Sequence, residues 1–182
     1  MTSRLFIGLD LPHDVKRDLI KLRDDHYGEE NPPNWESDDK LHITVKFLGD
    51  VGENLTDLIF QRFENLNFSK INAEFSRFGF FKRGGSLKIL FASLRKNEKI
   101  SEFQRLIENE CELIGFSKER RKFSPHITLL RLKGHEDLNK LIKYNNLNID
   151  YPEFCFTTFS VYKSELKPTG SEYTKLKSFN FD

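Results

Sequence analysis

Two stretches of the sequence place a histidine and a threonine at the same spacing. The first reads LHITVKFLG (residues 41–49) and the second reads PHITLLRL (residues 125–132). An imidazole can give or take a proton at physiological pH, and a hydroxyl can donate a hydrogen bond to an oxyanion. Two such pairs in one cleft would suit acid–base chemistry on a charged group, with one imidazole accepting a proton from water and the other protonating a leaving oxygen.

Both stretches are apolar, partly β-branched and bounded by glycine or proline, which is typical of β-strands. Successive side chains of a strand point to opposite faces, so His42 and Thr44 share one face of the first strand. By the same alternation His126 and Thr128 share one face of the second. The alternative interpretation is two core strands whose histidines only satisfy local hydrogen bonds.

Cations near the two motifs are candidates for binding a phosphate, because phosphoryl chemistry without a metal needs hydrogen-bond donors and local positive charge. Strict alternation places Lys46 on the face of His42. It places Arg131 on the face opposite His126, so Arg131 reaches the site only if the strand twists or bulges, or if its long side chain wraps round the edge. The basic run 118–122 precedes the second motif and is either a solvated segment or a phosphate-attracting patch.

Other chemistries find less support in the sequence. A metal site wants three or four histidine, cysteine or carboxylate ligands at compatible spacing, and neither strand supplies a second such ligand on its histidine face. A serine hydrolase would show a Gly-x-Ser-x-Gly elbow, which the chain lacks. We therefore expect neither a metal nor another cofactor.

The composition indicates one globular domain with an aromatic core. The chain has 182 residues, 37% of them hydrophobic and 13% aromatic, and its net charge is only +1. That charge argues against a long-duplex binder and leaves a small or terminal phosphate substrate open. Two isolated cysteines, no signal-like N-terminus and no apolar run of membrane-spanning length predict a cytoplasmic protein that does not bind membranes.

Hydrophobic periodicity predicts the element order β-α-β-α-β-β followed by α-β-α-β-β, an α+β fold. Residues 1–182 would form a single domain of two intertwined lobes, each built on an antiparallel sheet and each carrying one H-x-T-x motif (42–45 and 126–129). The predicted strand 71–81 has a register break near Arg77, and a helix is predicted over Glu98–Gly115. Trp35 lies in a polar loop and is predicted to cover the edge of the core.

The doubled H-x-T-x motif resembles the signature of the 2H phosphoesterase superfamily, and more narrowly the RNA 2′,3′-cyclic phosphodiesterases once called 2′-5′ RNA ligases. The likeness covers residues 4–12, 41–49, 123–131 and 164–173. It implies a bilobal, pseudo-symmetric fold with two antiparallel sheets flanking a central cleft and helices on the outside. The strand over residues 84–91 departs from the family, which would have a Pro-Arg pair and a tryptophan there.

The resemblance also implies an activity and a set of site residues. The activity is metal-independent hydrolysis of a terminal 2′,3′-cyclic phosphate on RNA 3′ ends or nucleotides to a 2′-phosphate. His42 would be the proton donor and His126 the proton acceptor. The phosphate would be bound by Thr44, Thr128 and Arg131, and Lys46 and Phe6 complete the set of candidate substrate contacts. We expect a monomer.

Alternatives to this function remain open at the level of the sequence. The same cleft could catalyse reversible 2′-5′ RNA ligation, or act on 2′-5′-linked oligonucleotides or small cyclic nucleotides. It could also serve a non-catalytic module that binds RNA ends or nucleotides. Two retained histidines favour catalysis, because binding alone needs cations more than imidazoles.

Overall fold

The structure, a computed structural model, describes residues 2–168 and 170–182 and contains nine strands and four α-helices within them. The strands are β1 (Thr2–Asp10), β2 (His42–Gly52), β3 (Ile71–Ala73), β4 (Phe75–Arg83), β5 (Ser86–Leu94), β6 (His126–Arg131), β7 (Phe154–Phe156), β8 (Thr158–Lys167) and β9 (Gly170–Asn180). The helices are α1 (His13–Tyr27), α2 (Glu53–Glu64), α3 (Glu98–Glu112) and α4 (Leu138–Leu141). Short 3₁₀ turns cover Asp38–Lys40 and Ile142–Tyr144.

Seven strands form one antiparallel sheet in the order β4-β5-β6-β2-β1-β8-β9, and β3 pairs with β7 in a second, small sheet. Strands β6 and β2 pair through the single residue pair Ile127 and Ile43, whereas the other neighbours in this sheet pair over several residues. The seven-stranded sheet is therefore two antiparallel halves that meet at the two H-x-T-x strands. This arrangement confirms the predicted α+β fold.

Aromatic side chains dominate the core on the helical side of the β2-β1-β8-β9 half. Phe103 of α3 is fully buried. Its ring centroid lies 5.2 Å from that of Phe68 and 5.0 Å from those of Phe159 and Phe181. Helices α2 and α3 both pack on β2, so the strand that carries the first motif is fixed from behind.

The described ranges hold nine strands where the sequence predicted seven, and two of the differences in element boundaries have identifiable reasons. The predicted strand 71–81 is divided at Glu74, because β3 leaves to pair with β7 while β4 continues beside β5. The β4–β5 ladder is irregular between Phe75 and Phe78, where the sequence predicted a break. Helix α3 ends at Glu112, three residues before Gly115, which takes a positive φ of 94°.

The loop between α1 and β2 is held against the β4-β5-β6 half of the sheet. Trp35 is partly buried, its ring lies edge-on to Tyr27 and Tyr144, and the guanidinium of Arg23 lies 4.7 Å from its centroid. Trp35 thus covers the edge of the core, as the sequence predicted. The next residue, Glu36, donates its backbone N–H to the carbonyl of Leu129 at 2.9 Å, which fixes this loop to β6.

No helix in the described ranges combines the length and the apolar character needed to cross a membrane.

Removing the central ring of the aromatic core should be costly. Phe103→Ala is expected to lower the free energy of unfolding by about 3–5 kcal/mol, because a buried ring leaves both lost burial and a cavity. Leu113→Ala, at a position 68% exposed just after the same helix, should change it by about 0.5 kcal/mol or less. Urea denaturation of both variants checks this, and similar losses for the two would contradict the packing described.

Candidate active site

The two H-x-T-x motifs meet in one small cavity. Because β2 and β6 run antiparallel through the Ile43–Ile127 pair, each histidine lies beside the threonine of the other motif. The prediction that both motifs face one cleft is confirmed by the residues around it. The cavity is lined by Glu36, Lys40, His42, Thr44, His126, Thr128, Arg131 and Tyr173.

Each motif strand carries an extra residue at the fourth position of its motif. In the β1–β2 ladder Val45 has no partner, since Gly8 pairs with Thr44 and Ile7 with Lys46. In the β5–β6 ladder Leu129 is skipped in the same way. Because side chains alternate with a period of two, one inserted residue exchanges the faces of everything that follows it.

The bulge at Leu129 brings Arg131 to the cleft. Arg131 lines the cavity with both histidines, so the condition that the sequence set for this residue is met. Its Nε lies 3.2 Å from Oε1 of Glu36, and its side chain is 52% exposed. The carbonyl of the bulged Leu129 accepts the backbone N–H of Glu36. The bulge therefore has two effects: it turns Arg131 toward the cleft, and it binds the loop that carries Glu36.

The bulge at Val45 has the opposite effect on Lys46. The prediction that Lys46 shares the face of His42 is wrong, because Lys46 pairs with Ile7 and turns toward α3. There its ammonium donates to Oε2 of Glu108 at 2.6 Å and to the carbonyl of Ser117 at 2.9 Å. Phe47 takes the cleft face instead and is 70% exposed.

His42 lies in an aromatic enclosure. Its ring stacks on Phe6 at 4.9 Å and on Tyr162 at 5.3 Å, and Tyr173 meets it edge-on at 5.5 Å. Phe6 is itself only 2% exposed, so the structure gives it a place behind His42 rather than an open surface. Gly8 makes room for the stack, since a Cβ there would lie 3.2 Å from both His42 and Tyr162.

Burial lowers the pKa of His42 to about 4. The Asp10 carboxylate opposes this shift in the pKa, and the positive charges of Lys16 and Arg131 add to it. The Nε2 atom lies 3.1 Å from the hydroxyl oxygen of Thr44. In the absence of an anion, His42 is therefore a neutral imidazole at pH 7.

Asp10 is a buried carboxylate in the strand next to His42, with which it pairs in the β1–β2 register. Its Oδ1 accepts the hydroxyl of Tyr162. Its Oδ2 accepts the hydroxyls of Ser160 at 2.6 Å and Thr158 at 3.2 Å, and the ammonium of Lys175 at 2.9 Å. This network fixes Tyr162 and places a negative charge behind His42.

His126 has a more open setting and a defined tautomer. Its ring meets Phe81 edge-on at 4.7 Å and Phe91 at 5.6 Å. Its Nδ1 lies 2.8 Å from the carbonyl oxygen of Ser124, which can only accept, so Nδ1 carries the proton and Nε2 of the neutral ring is a free base. Burial lowers the pKa of His126, and the Ser124 carbonyl partly offsets that shift in the pKa.

The model of the LigT like phosphoesterases matches residues 9–87 and 93–173. The chain belongs to this family. Two relatives named RNA 2′,3′-cyclic phosphodiesterase are that of Thermotoga maritima, 30% identical over 98% of this chain and 96% of the relative, and that of Methanocaldococcus jannaschii, 28% identical over 97% and 99%. The apo crystal structure of Escherichia coli LigT shares the fold, with a TM-score of 0.80 and 21% identity over 100% of this chain and 98% of that one.

As in any phosphoesterase, the cavity must admit a substrate, and two larger grooves open from it. One, of about 520 Å³, shares His126, Thr128 and Arg131 with the cavity and continues along Arg121 and Lys122 of the basic run. The other, also about 520 Å³, runs from His42 past Phe47 to the β8–β9 hairpin. Within the described ranges, no group of three or more histidine, cysteine or acidic side chains is arranged to hold a metal ion.

The buried Lys46–Glu108 pair connects the basic run to the sheet. Glu108 also accepts the backbone N–H of Glu119 at 3.3 Å and the side-chain amide of Gln104 at 3.2 Å. The hydrogen bonds of Lys46 and Glu108 thus hold the segment that leads into the second motif against β2 and α3. Lys46 itself lines the groove beside the cavity, with its charge paired to Glu108.

Sequence reasoning missed several residues of the cavity and its support. Tyr173 appeared only as part of the family likeness, Glu36 lay in the predicted polar loop, and Lys40 lies between that loop and the first motif. Asp10 could have been found, because it is a lone charge in the apolar run of β1 and a buried carboxylate needs partners.

The depressed pKa of His42 predicts an unusual titration. In the unfolded chain the ring should titrate near 6.5, whereas in the native protein it should stay neutral down to about pH 4. Because the unfolded state binds this proton first, native stability is lost as the pH falls through that window. NMR titration of the imidazole resonances, with and without inorganic phosphate, checks the shift. A bound anion should raise the pKa of His42, and an unchanged titration near 6.5 would contradict its burial.

Proposed function

We propose that this phosphoesterase hydrolyses a terminal 2′,3′-cyclic phosphate on RNA 3′ ends or nucleotides to a 2′-phosphate. One observation carries the proposal: the cavity holds two imidazoles in different protonation settings, each next to a threonine, with Arg131 beside them. The names of the relatives support the same substrate. His42 serves as the proton donor, and His126 serves as the proton acceptor.

The first proton transfer uses the tautomer of His126. Because Nδ1 keeps its proton and donates it in a hydrogen bond to the Ser124 carbonyl, Nε2 can accept a proton from a water molecule in the cavity. The hydroxide oxygen forms a bond to phosphorus, and the bond between phosphorus and the 3′ oxygen breaks. The phosphate remains on the 2′ oxygen, and His126 leaves this step as an imidazolium.

The second proton transfer uses His42. Its pKa of about 4 in the free protein would leave it without a proton at neutral pH. A cyclic phosphate carries one negative charge, and an anion beside a dry imidazole favours the charged form. Substrate binding therefore loads His42 with the proton that the departing 3′ oxygen takes. Asp10, behind the ring, helps in the same direction.

Three other side chains bind the phosphate as charge grows on its oxygens. The hydroxyls of Thr44 and Thr128 donate to the two non-bridging oxygens, and Arg131 supplies the positive charge that the transition state requires. Their strand positions are set by the motif alternation and by the bulge at Leu129. Such preorganised donors need little rearrangement during the reaction.

The first test is turnover of a nucleoside 2′,3′-cyclic phosphate in excess EDTA, with the product isomer identified by ³¹P NMR. We expect hydrolysis to continue in chelator and to give the 2′-phosphate, because His126, His42 and Arg131 supply base, acid and charge. A 3′-phosphate product would reverse the assignment of the leaving oxygen. Loss of turnover in EDTA that added metal restores would replace the mechanism.

Removing either imidazole should abolish most of the activity without unfolding the protein. His42→Ala and His126→Ala are each expected to lower kcat by about 10²- to 10⁴-fold, the usual contribution of a positioned acid or base. His13→Ala is the matched control, because this histidine is exposed at the start of α1, and it should keep normal turnover. A motif variant that kept near-normal kcat would contradict the two-histidine mechanism.

A further inference from the structure

Glu36 is a carboxylate in the cavity that would bind a phosphate in the proposed function. Its Oε1 lies 3.2 Å from Nε of Arg131, and its Oε2 lies 3.6 Å from Nζ of Lys40. Both cations line the cavity together with the two histidines. The glutamate therefore offsets part of the positive charge that a phosphate would use.

This carboxylate is held in place by its backbone. The Glu36 N–H donates to the carbonyl of Leu129 at 2.9 Å, and the Glu36 carbonyl accepts from Nη1 of Arg23 at 3.2 Å. Arg23 is buried under Trp35 and bonds to Asp24 as well. The Glu36 side chain is only 15% exposed. It is thus a fixed element of the cavity rather than a surface residue that swings across it.

The substrate and product of the proposed reaction differ in charge. A cyclic phosphodiester carries one negative charge at every pH near neutrality. A phosphomonoester carries about 1.5 to 2 negative charges at pH 7, since its second pKa is about 6. With both imidazoles neutral, Lys40, Arg131 and Glu36 leave the cavity with one net positive charge. Either bound anion also draws a proton onto His42, so this gain is shared, and the dianion remains the ligand that the Glu36 carboxylate repels more strongly.

We propose that Glu36 is a charge-selecting residue: it disfavours dianionic phosphates at the site and so speeds release of the 2′-phosphate product. The inference rests on the proposed function, because it takes the cyclic diester as substrate and the monoester as product. Repulsion between the fixed carboxylate and the second negative charge of the product acts within a partly enclosed cavity, where water screens it less than on an open surface.

The experiment compares two ligands that differ by one charge. The ligands are a nucleoside 2′-monophosphate and its methyl phosphodiester, and their dissociation constants for wild type and Glu36→Gln are measured by calorimetry at pH 7.5. We expect Glu36→Gln to bind the monophosphate about five- to tenfold more tightly, the size of one charge near a partly exposed ion pair. Binding of the diester should change by about twofold or less, and product inhibition of turnover should strengthen in parallel.

The matched control is Glu110→Gln, which removes a carboxylate paired with Arg62 on the far side of the sheet and should leave both affinities unchanged. Glu36→Leu keeps both backbone hydrogen bonds and repeats the test should the glutamine variant fold poorly. If Glu36 only orients Arg131, its loss would weaken both ligands alike, and that result would overturn the inference. Equal tightening of both ligands, or no change in either, would also overturn it.

This design distinguishes failure of the charge-selection proposal from failure of the proposed hydrolysis. Binding of the monophosphate and the diester needs no turnover, so charge selection can be measured even if the chain does not hydrolyse cyclic phosphates. Conversely, normal hydrolysis with an unchanged ratio of the two dissociation constants would remove the role of Glu36 and leave the two-histidine mechanism intact.

Discussion

The site depends on one extra residue in each of two strands. Were β2 and β6 regular, Lys46 would face the cleft and Arg131 would face away from it. Val45 and Leu129 interrupt their ladders at the fourth motif position, and the alternation reverses after each. As a result the first strand presents Phe47 to the cleft and the second presents Arg131. The two motifs are pseudo-symmetric up to the threonine. Beyond it, one side of the cavity is apolar, at Phe47, and the other is cationic, at Arg131.

The two histidines also differ in their surroundings, just as the two motifs differ in the residue that they present to the cleft after the threonine. His42 packs against the rings of Phe6, Tyr162 and Tyr173, with the Asp10 carboxylate behind it, and burial is the main influence on its pKa. His126 meets its rings edge-on and has its tautomer fixed by a backbone carbonyl. In the proposed reaction, His42 gains a proton only when an anion binds, and His126 takes a proton from water. This difference gives a physical basis for assigning acid and base roles to two residues with identical local sequence.

The sequence predicted what depends on periodicity and on local residue types. The element order follows from helical and strand periodicities. The placement of each His with its Thr on one face, and the difficulty of bringing Arg131 to the cleft, follow from a period of two. A bulge leaves no mark in residue types here, since Val45 and Leu129 are ordinary strand residues, so Lys46 was assigned to the wrong face. Glu36 lay beyond reach for another reason: its position depends on Arg23, Trp35 and the carbonyl of Leu129, which come together only in the folded chain.

The charge of the cavity can be followed through the proposed reaction. At rest it holds one net positive charge, equal and opposite to a cyclic diester. Binding draws a proton onto His42, attack moves a proton from water to His126, and the leaving oxygen takes the proton of His42. The product then carries about two negative charges. They face the positive charge of the His126 imidazolium and the one net positive charge that the cavity holds at rest. Once His126 returns its proton to water, the positive charge facing the dianion falls by one, and the Glu36 carboxylate repels both negative charges of the product. Without the Glu36 carboxylate, the cavity would release its product more slowly, and the next substrate would have to wait for that release.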